Sequence, residues 1–105
     1  MTDTTKIAAA LKQTLADTYA VYMKTHGYHW NVTGVQFHSL HTMFETQYTE
    51  MWMALDEIAE RVRAVGDFAP GSGQALASLS IVEEQDASVP RATEMLKHWS
   101  RITKN

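Results

Sequence analysis

The feature that most constrains the fold is a pair of long helical patterns separated by a short link. Apolar side chains recur at steps of three and four through residues 5–31, and residues 37–65 follow a four-three heptad rhythm. Gly34 follows the first pattern and Gly66 ends the second. The second helix would be about 43 Å long. Because the link is short, the sequence predicts an antiparallel helical hairpin.

The rest of the chain predicts an all-α helical bundle in a single domain, residues 1–105. Residues 67–74 read as a loop, 75–81 as one short helix and 90–103 as the start of another, with Ser88 as its N-cap. The chain has 45% hydrophobic and 20% charged residues, a composition typical of a folded domain and not of an intrinsically disordered chain. A chain of 105 residues can bury only a small hydrophobic core by itself, which favours burial of further surface against a partner subunit.

The composition argues against three further classes of protein. The chain has no Cys, so a disulfide framework, a thiolate metal site and a Cys nucleophile are excluded. Neither a signal-like apolar run nor a membrane-length one occurs, so we expect a soluble, cytoplasmic protein with no membrane association. The net charge is -3 and no run of four basic residues occurs, which disfavours a basic phosphate-binding arm.

Four metal-capable side chains share one face of the second helix. On a helical wheel His41, Glu45, Asp56 and Glu60 occupy an arc of about 100° beside the apolar stripe. Trp52 lies in the middle of that arc, where a large aromatic on an outward face suggests a second interface. Each of the four alone is more simply read as a solvated carboxylate or a core histidine. Their joint placement is what points to a metal site.

The spacing along the helix divides these residues into two pairs. His41 with Glu45, and Asp56 with Glu60, are each four residues apart and can converge on one ion. The pairs are separated by about 16 Å along the axis, so one chain cannot bring both to one ion. A second copy packed antiparallel about a two-fold axis would face one pair with the other. The spacing therefore predicts two identical sites between two subunits.

His29 completes the predicted donor set. It lies in the last turn of the first helix, and a hairpin brings that turn beside His41. Two imidazoles with three carboxylates suit iron, manganese or zinc. His38 lies on the same arc, where it could lie at the entry of the metal or beside the metal ligands. His26 is expected to face solvent or the outer side of the hairpin. Glu-x-x-His pairs and the HExxH zinc-protease motif do not occur.

These residues carry a resemblance to a known family. The run His29-Trp30-Asn31-Val32-Thr33-Gly34, followed by Leu40-His41 and by Asp56-Glu57-Ile58-Ala59-Glu60-Arg61, resembles the Dps family (DNA-binding protein from starved cells). The resemblance covers most of residues 5–98. It implies a ferritin-like bundle assembled as a hollow twelve-subunit shell. It also implies Fe(II) oxidation with hydrogen peroxide or oxygen, storage of a ferric mineral, and protection from oxidative stress.

The resemblance also implies roles for particular residues. His29, His41 and Glu45 match the ligands from one subunit, and Asp56 and Glu60 match those from its partner. Trp52 matches an aromatic near the ferroxidase site, where it intercepts oxidising equivalents. Iron is the implied metal, with zinc or manganese as substitutes.

The sequence departs from the family pattern at three places. Glu45 stands where many members have Asp. The chain ends at Asn105, within the third bundle helix, so the twelve-subunit shell becomes uncertain and a truncated bundle is expected. The N-terminal region has only Lys6 and Lys12 as basic residues, so we expect weak or no DNA binding, which requires many phosphate contacts.

Two other readings stay open at the level of the sequence. A metal, for example zinc, could clamp a dimer of helical hairpins that has a structural or binding role and no ferroxidase activity. The chain could instead be an inert remnant that aggregates through an uncovered apolar seam from Phe37 to Val65.

Overall fold

Four helices make up the described part of the chain. The computed structural model describes residues 3–82 and 90–103, with side chains through residue 97. The helices are α1 (Asp3–Asn31), α2 (Phe37–Ala64), α3 (Gly73–Leu79) and α4 (Ala92–Thr103). The all-α ferritin-like fold expected from the sequence is confirmed.

The two long helices form the predicted antiparallel hairpin. Gly34 lies in the link with φ 105°, a conformation that favours glycine because it lacks a Cβ. Gly66 follows α2 with φ 95° and makes a Schellman cap: its N–H donates to the Arg63 carbonyl, and the Asp67 N–H donates to the Val62 carbonyl. The first and last residues of α1 and α2 all lie within two positions of the predicted helix ends.

An ion pair holds the open end of the hairpin. Lys12 Nζ on α1 lies 2.8 Å from Asp67 Oδ2, just beyond the end of α2. The hydrogen bond from Lys12, supported by the backbone N–H of Phe68, lowers the pKa of Asp67 below its usual value. Since both side chains are partly solvated, the ion pair contributes little to the stability of the fold.

Two apolar clusters form the core. One joins Leu15 and Ala16 of α1 to Leu76 of α3. The other lies at the closed end of the hairpin and contains Tyr28, Val32, Leu40, Phe44 and Met95. Phe37 was expected in the apolar seam of α2, but its side chain is 43% exposed because it begins the helix. Leu40, one turn into α2, is buried.

The short helix α3 is attached to α1 by polar contacts. Ser72 caps its N-terminus by accepting a hydrogen bond from the Ala75 N–H, so the helix begins and ends two residues earlier than predicted. Just beyond its end, Asp17 accepts hydrogen bonds from the Ser80 hydroxyl and the Ile81 N–H. These bonds hold the 73–81 segment against the middle of α1.

The last described helix closes the other end of the core. It begins at Ala92 rather than at Pro90, and Met95 is fully buried against the closed end of the hairpin. The proposed cap Ser88 lies outside the described residues. Among the helices described, none is long and apolar enough to cross a membrane.

Replacing Phe44 with Ala should strongly destabilise the fold. The side chain is 0% exposed, so its removal leaves a cavity and should lower the free energy of unfolding by about 3–5 kcal/mol. Urea denaturation followed by circular dichroism at fixed protein concentration measures this. Phe68→Ala is the matched control, because Phe68 is 75% exposed and should cost less than about 1 kcal/mol. Equal losses for both variants would contradict the assignment of the core.

Candidate metal centre

Two histidines join the closed end of the hairpin. His29 Nδ1 lies 2.7 Å from the His41 carbonyl oxygen, and His41 Nδ1 lies 2.8 Å from the His29 carbonyl oxygen. The two rings stack with centroids 3.7 Å apart. Each helix therefore supplies one ring and one carbonyl to a reciprocal contact.

This contact fixes which ring nitrogen carries the proton. A carbonyl oxygen only accepts hydrogen bonds, so each Nδ1 is the donor. In the neutral rings the lone pair is then on Nε2, the atom that is left to bind a metal. The His29 carbonyl lies in the last turn of α1, where carbonyls lack a helical N–H partner, so His41 also satisfies an end of α1.

Glu45 brings a carboxylate to the same place. It lies one turn after His41 on α2, and ligand atoms of His29, His41 and Glu45 all lie within 4.8 Å of one another. His29 is buried, His41 is half-buried and Glu45 is exposed, so the cluster opens to the surface on its acidic side. Two neutral imidazoles and one carboxylate form a donor set that suits Fe(II), Mn(II) or Zn(II).

The remaining predicted ligands lie elsewhere on the same helix. Asp56 and Glu60 are both exposed, and they are not part of the His29 cluster within the described chain. Asp56 follows Glu45 by eleven residues, about 16 Å along α2, as the sequence required. It lines a groove of about 480 Å³ together with Trp52, whose side chain is 62% exposed.

His26 does not take the solvent-facing or outer position predicted for it. Instead of facing solvent, its ring stacks on Tyr48 of α2, with the ring centroids 3.8 Å apart. Its Nδ1 atom lies 2.9 Å from the hydroxyl oxygen of Tyr22. Burial, and secondarily the neighbouring His29, lowers the pKa of His26 below its usual value. The prediction failed because the position of His26 in the first helix does not reveal its contact with Tyr48 of α2. His38 is exposed.

Aromatic rings that the sequence analysis did not assign to the site surround the histidines. Tyr48 contacts His29 edge-on at 5.1 Å, and Phe37 stacks on His41 at 4.9 Å. Tyr22 and His26 are four residues apart, as are Tyr48 and Trp52, so their helical spacing was a signal that could have marked them.

Comparison with known proteins agrees with this architecture. The family model described as the ferritin-like domain matches residues 8–102. A DNA protection during starvation protein of Brevibacillus brevis is 38% identical over 87 residues, which cover 83% of this chain and 54% of that protein. The chain belongs to the Dps family of ferritin-like proteins.

Other members of the Dps family and its relatives extend the comparison. An uncharacterized low temperature-induced protein of Nostoc is 43% identical over 86 residues, covering 82% of this chain and 48% of that one. The crystal structure of a Dps protein from Vibrio cholerae superposes with a TM-score of 0.87 at 30% identity, covering 94% of this chain and 62% of that one. Its description places it among ferritin-like diiron-carboxylate proteins. The chain spans about half the length of the curated relatives it matches.

The reciprocal contact predicts the tautomer of both histidines. In metal-free protein at a pH where the rings are neutral, His29 and His41 should each carry the proton on Nδ1. Long-range ¹H–¹⁵N correlation spectra of ¹⁵N-labelled protein distinguish protonated from unprotonated ring nitrogens. His38, which is exposed, is the internal control. Protonated Nε2 in either ring would contradict the geometry.

Proposed function

We propose that this chain oxidises Fe(II) and stores the ferric product as a Dps-type protein, which protects the cell from oxidative stress. The observation that carries the proposal is the cluster of His29, His41 and Glu45, in which both Nε2 atoms are left to bind metal. Membership of the Dps family supports it. Iron is the substrate, and zinc or manganese can occupy the same donors.

The proposed site is shared between two copies of the chain. Glu45 and Asp56 are too far apart along α2 to hold one iron pair. In a two-fold dimer whose axis passes near residues 50 and 51, Asp56 and Glu60 of one copy face His29, His41 and Glu45 of the other. Each dimer then contains two identical sites, and the exposed Trp52 lies near the axis.

The donor set suits the chemistry of Fe(II) oxidation. Two Fe(II) ions each lose one electron, and hydrogen peroxide accepts both as its O–O bond breaks and hydroxide forms. The carboxylates favour the more highly charged Fe(III), while the imidazoles, oriented through Nδ1, contribute neutral donors. Trp52 is proposed to intercept one-electron oxidants that escape from the site.

The larger assembly is also a proposal. Storage of a mineral requires a closed shell, and the resemblance to Dps proteins supports a homo-oligomer built from such dimers, with twelve subunits as the expected size. Weak or absent DNA binding and a cytoplasmic location stay predictions from the sequence, as does the single-domain organisation.

Changing a ligand from either half of the site should abolish iron oxidation. His41→Ala and Asp56→Ala should each reduce the rate of ferric absorbance growth after Fe(II) and peroxide are added by more than about tenfold, since each leaves every site incomplete. Glu57→Ala is the matched control, because this exposed carboxylate points about 100° away from Asp56 on the same helix and should leave the rate unchanged.

Mixing the two variants tests whether the site is shared. In randomly paired dimers of His41→Ala and Asp56→Ala chains, half the dimers are mixed and each of these regains one intact site. About a quarter of the wild-type activity should therefore return. A mixture that stays as inactive as its parents would argue against shared sites. Zinc binding that raises the Tm without any iron oxidation would favour the metal-clamped dimer instead.

A further inference from the structure

Within one chain, an aromatic cluster links the two donor sets, which the proposed dimer assigns to two different iron sites. Tyr48 contacts the His29 ring at 5.1 Å, and Tyr22 lies 6.3 Å from Tyr48 and 5.7 Å from Trp52. Trp52 lies one helical turn before Asp56. A continuous set of ring contacts therefore runs from His29 to Trp52, one turn before Asp56, with Tyr22 in the middle.

Tyr22 differs from the other rings in having a base within hydrogen-bond distance. Its hydroxyl lies 2.9 Å from His26 Nδ1. In the tautomer that carries its proton on Nε2, His26 accepts this hydrogen bond through Nδ1 from the Tyr22 hydroxyl. The His26 ring is held in place by its stack on Tyr48. The pair is thus positioned by packing on both helices.

The surroundings keep Tyr22 as a neutral phenol. Its side chain is 7% exposed, and burial raises its pKa above the ordinary value, with further contributions from Tyr19 and Tyr48. A buried phenol that cannot lose its proton to water can lose an electron readily only if the proton moves to a nearby base at the same time. His26 supplies that base.

We propose that Tyr22 and His26 form a proton-coupled redox station that receives oxidising equivalents from the iron site, a role that rests on the proposed function. The oxidant is of the hydroxyl-radical class, formed when Fe(II) reduces peroxide by one electron. One electron passes from Tyr22 through Tyr48 or Trp52 to the oxidant, which becomes hydroxide. The phenolic proton moves to His26 Nδ1, leaving a neutral tyrosyl radical beside an imidazolium.

The station would serve both iron sites of the proposed dimer. Its contacts through Tyr48 lead to His29, and its contacts through Trp52 lead toward Asp56. Electron transfer slows steeply with distance, so a ring midway between the donor groups can discharge an oxidant formed at either. Because Tyr22 is buried, its radical is kept from reacting with other molecules.

An iron-free experiment tests the station separately from iron oxidation. Photogenerated ruthenium(III) tris-bipyridine oxidises the metal-free protein from outside, and freeze-quenched electron paramagnetic resonance identifies the radical. Protein labelled with ring-deuterated tyrosine distinguishes a tyrosyl from a tryptophanyl signal. Tyr22→Phe removes only the hydroxyl. Tyr19→Phe is the matched control, because it makes the same change on a ring 6.1 Å away.

We expect a neutral tyrosyl radical in the wild type that is lost in Tyr22→Phe and kept in Tyr19→Phe. His26→Phe keeps a ring against Tyr48 but removes the proton acceptor, so it should lower the radical yield several-fold and abolish the solvent deuterium isotope effect on its formation. An unchanged tyrosyl signal in Tyr22→Phe, or an unchanged yield and isotope effect in His26→Phe, would overturn the proposal. Circular dichroism confirms that each variant is folded.

The same variants with Fe(II) and peroxide separate the two proposals. If the station works with ruthenium but wild-type protein does not oxidise iron, the proposed function fails and the redox pair stands. If iron is oxidised normally and no Tyr22 radical forms with either oxidant, the station fails and the proposed function stands. In the expected case, Tyr22→Phe oxidises iron at the wild-type rate but accumulates more oxidised tryptophan, measured by mass spectrometry.

Discussion

The hydrogen bonds exchanged by His29 and His41 are the interaction on which the geometry of the site depends. They tie the end of α1 to the start of α2, so the register of the hairpin at its closed end is set by the same side chains that offer metal donors. They also place the proton on Nδ1 of each ring. Structure and candidate chemistry are therefore coupled: a change that loosens this end of the hairpin also misorients the donors.

A second consequence follows from placing both donor pairs on one straight helix. A helix holds Glu45 and Asp56 at a fixed separation, so the chain alone cannot close the proposed site. The face between them carries the exposed Trp52 and Met53, which line a mostly apolar groove together with Asp56. A second copy that covers this face would bury apolar surface and complete the donor set in the same step. In the proposed dimer, the iron site would therefore form only when two chains associate.

The aromatic layer between the helices combines packing with candidate redox chemistry. Tyr22, His26 and Tyr48 fill the space between α1 and α2 close to the histidine donors. An aliphatic layer would stabilise the hairpin equally well through burial of apolar area. Rings that carry hydroxyl and imidazole groups also offer electrons and a proton acceptor beside the proposed iron site.

The two long helices, their ends to within two residues and the two pairs of candidate donors could be predicted from the amino-acid sequence. These follow from local rules, because each residue adds about 100° of rotation and 1.5 Å of rise to a helix. It also placed His29 near His41, since a short link leaves the chain little choice of direction. The tertiary structure decided the rest: the stack of His26 on Tyr48, the burial of Leu40 under Met95, and the tautomers of the two histidines. Each of these depends on contacts between residues far apart in the sequence, which helical periodicity does not encode.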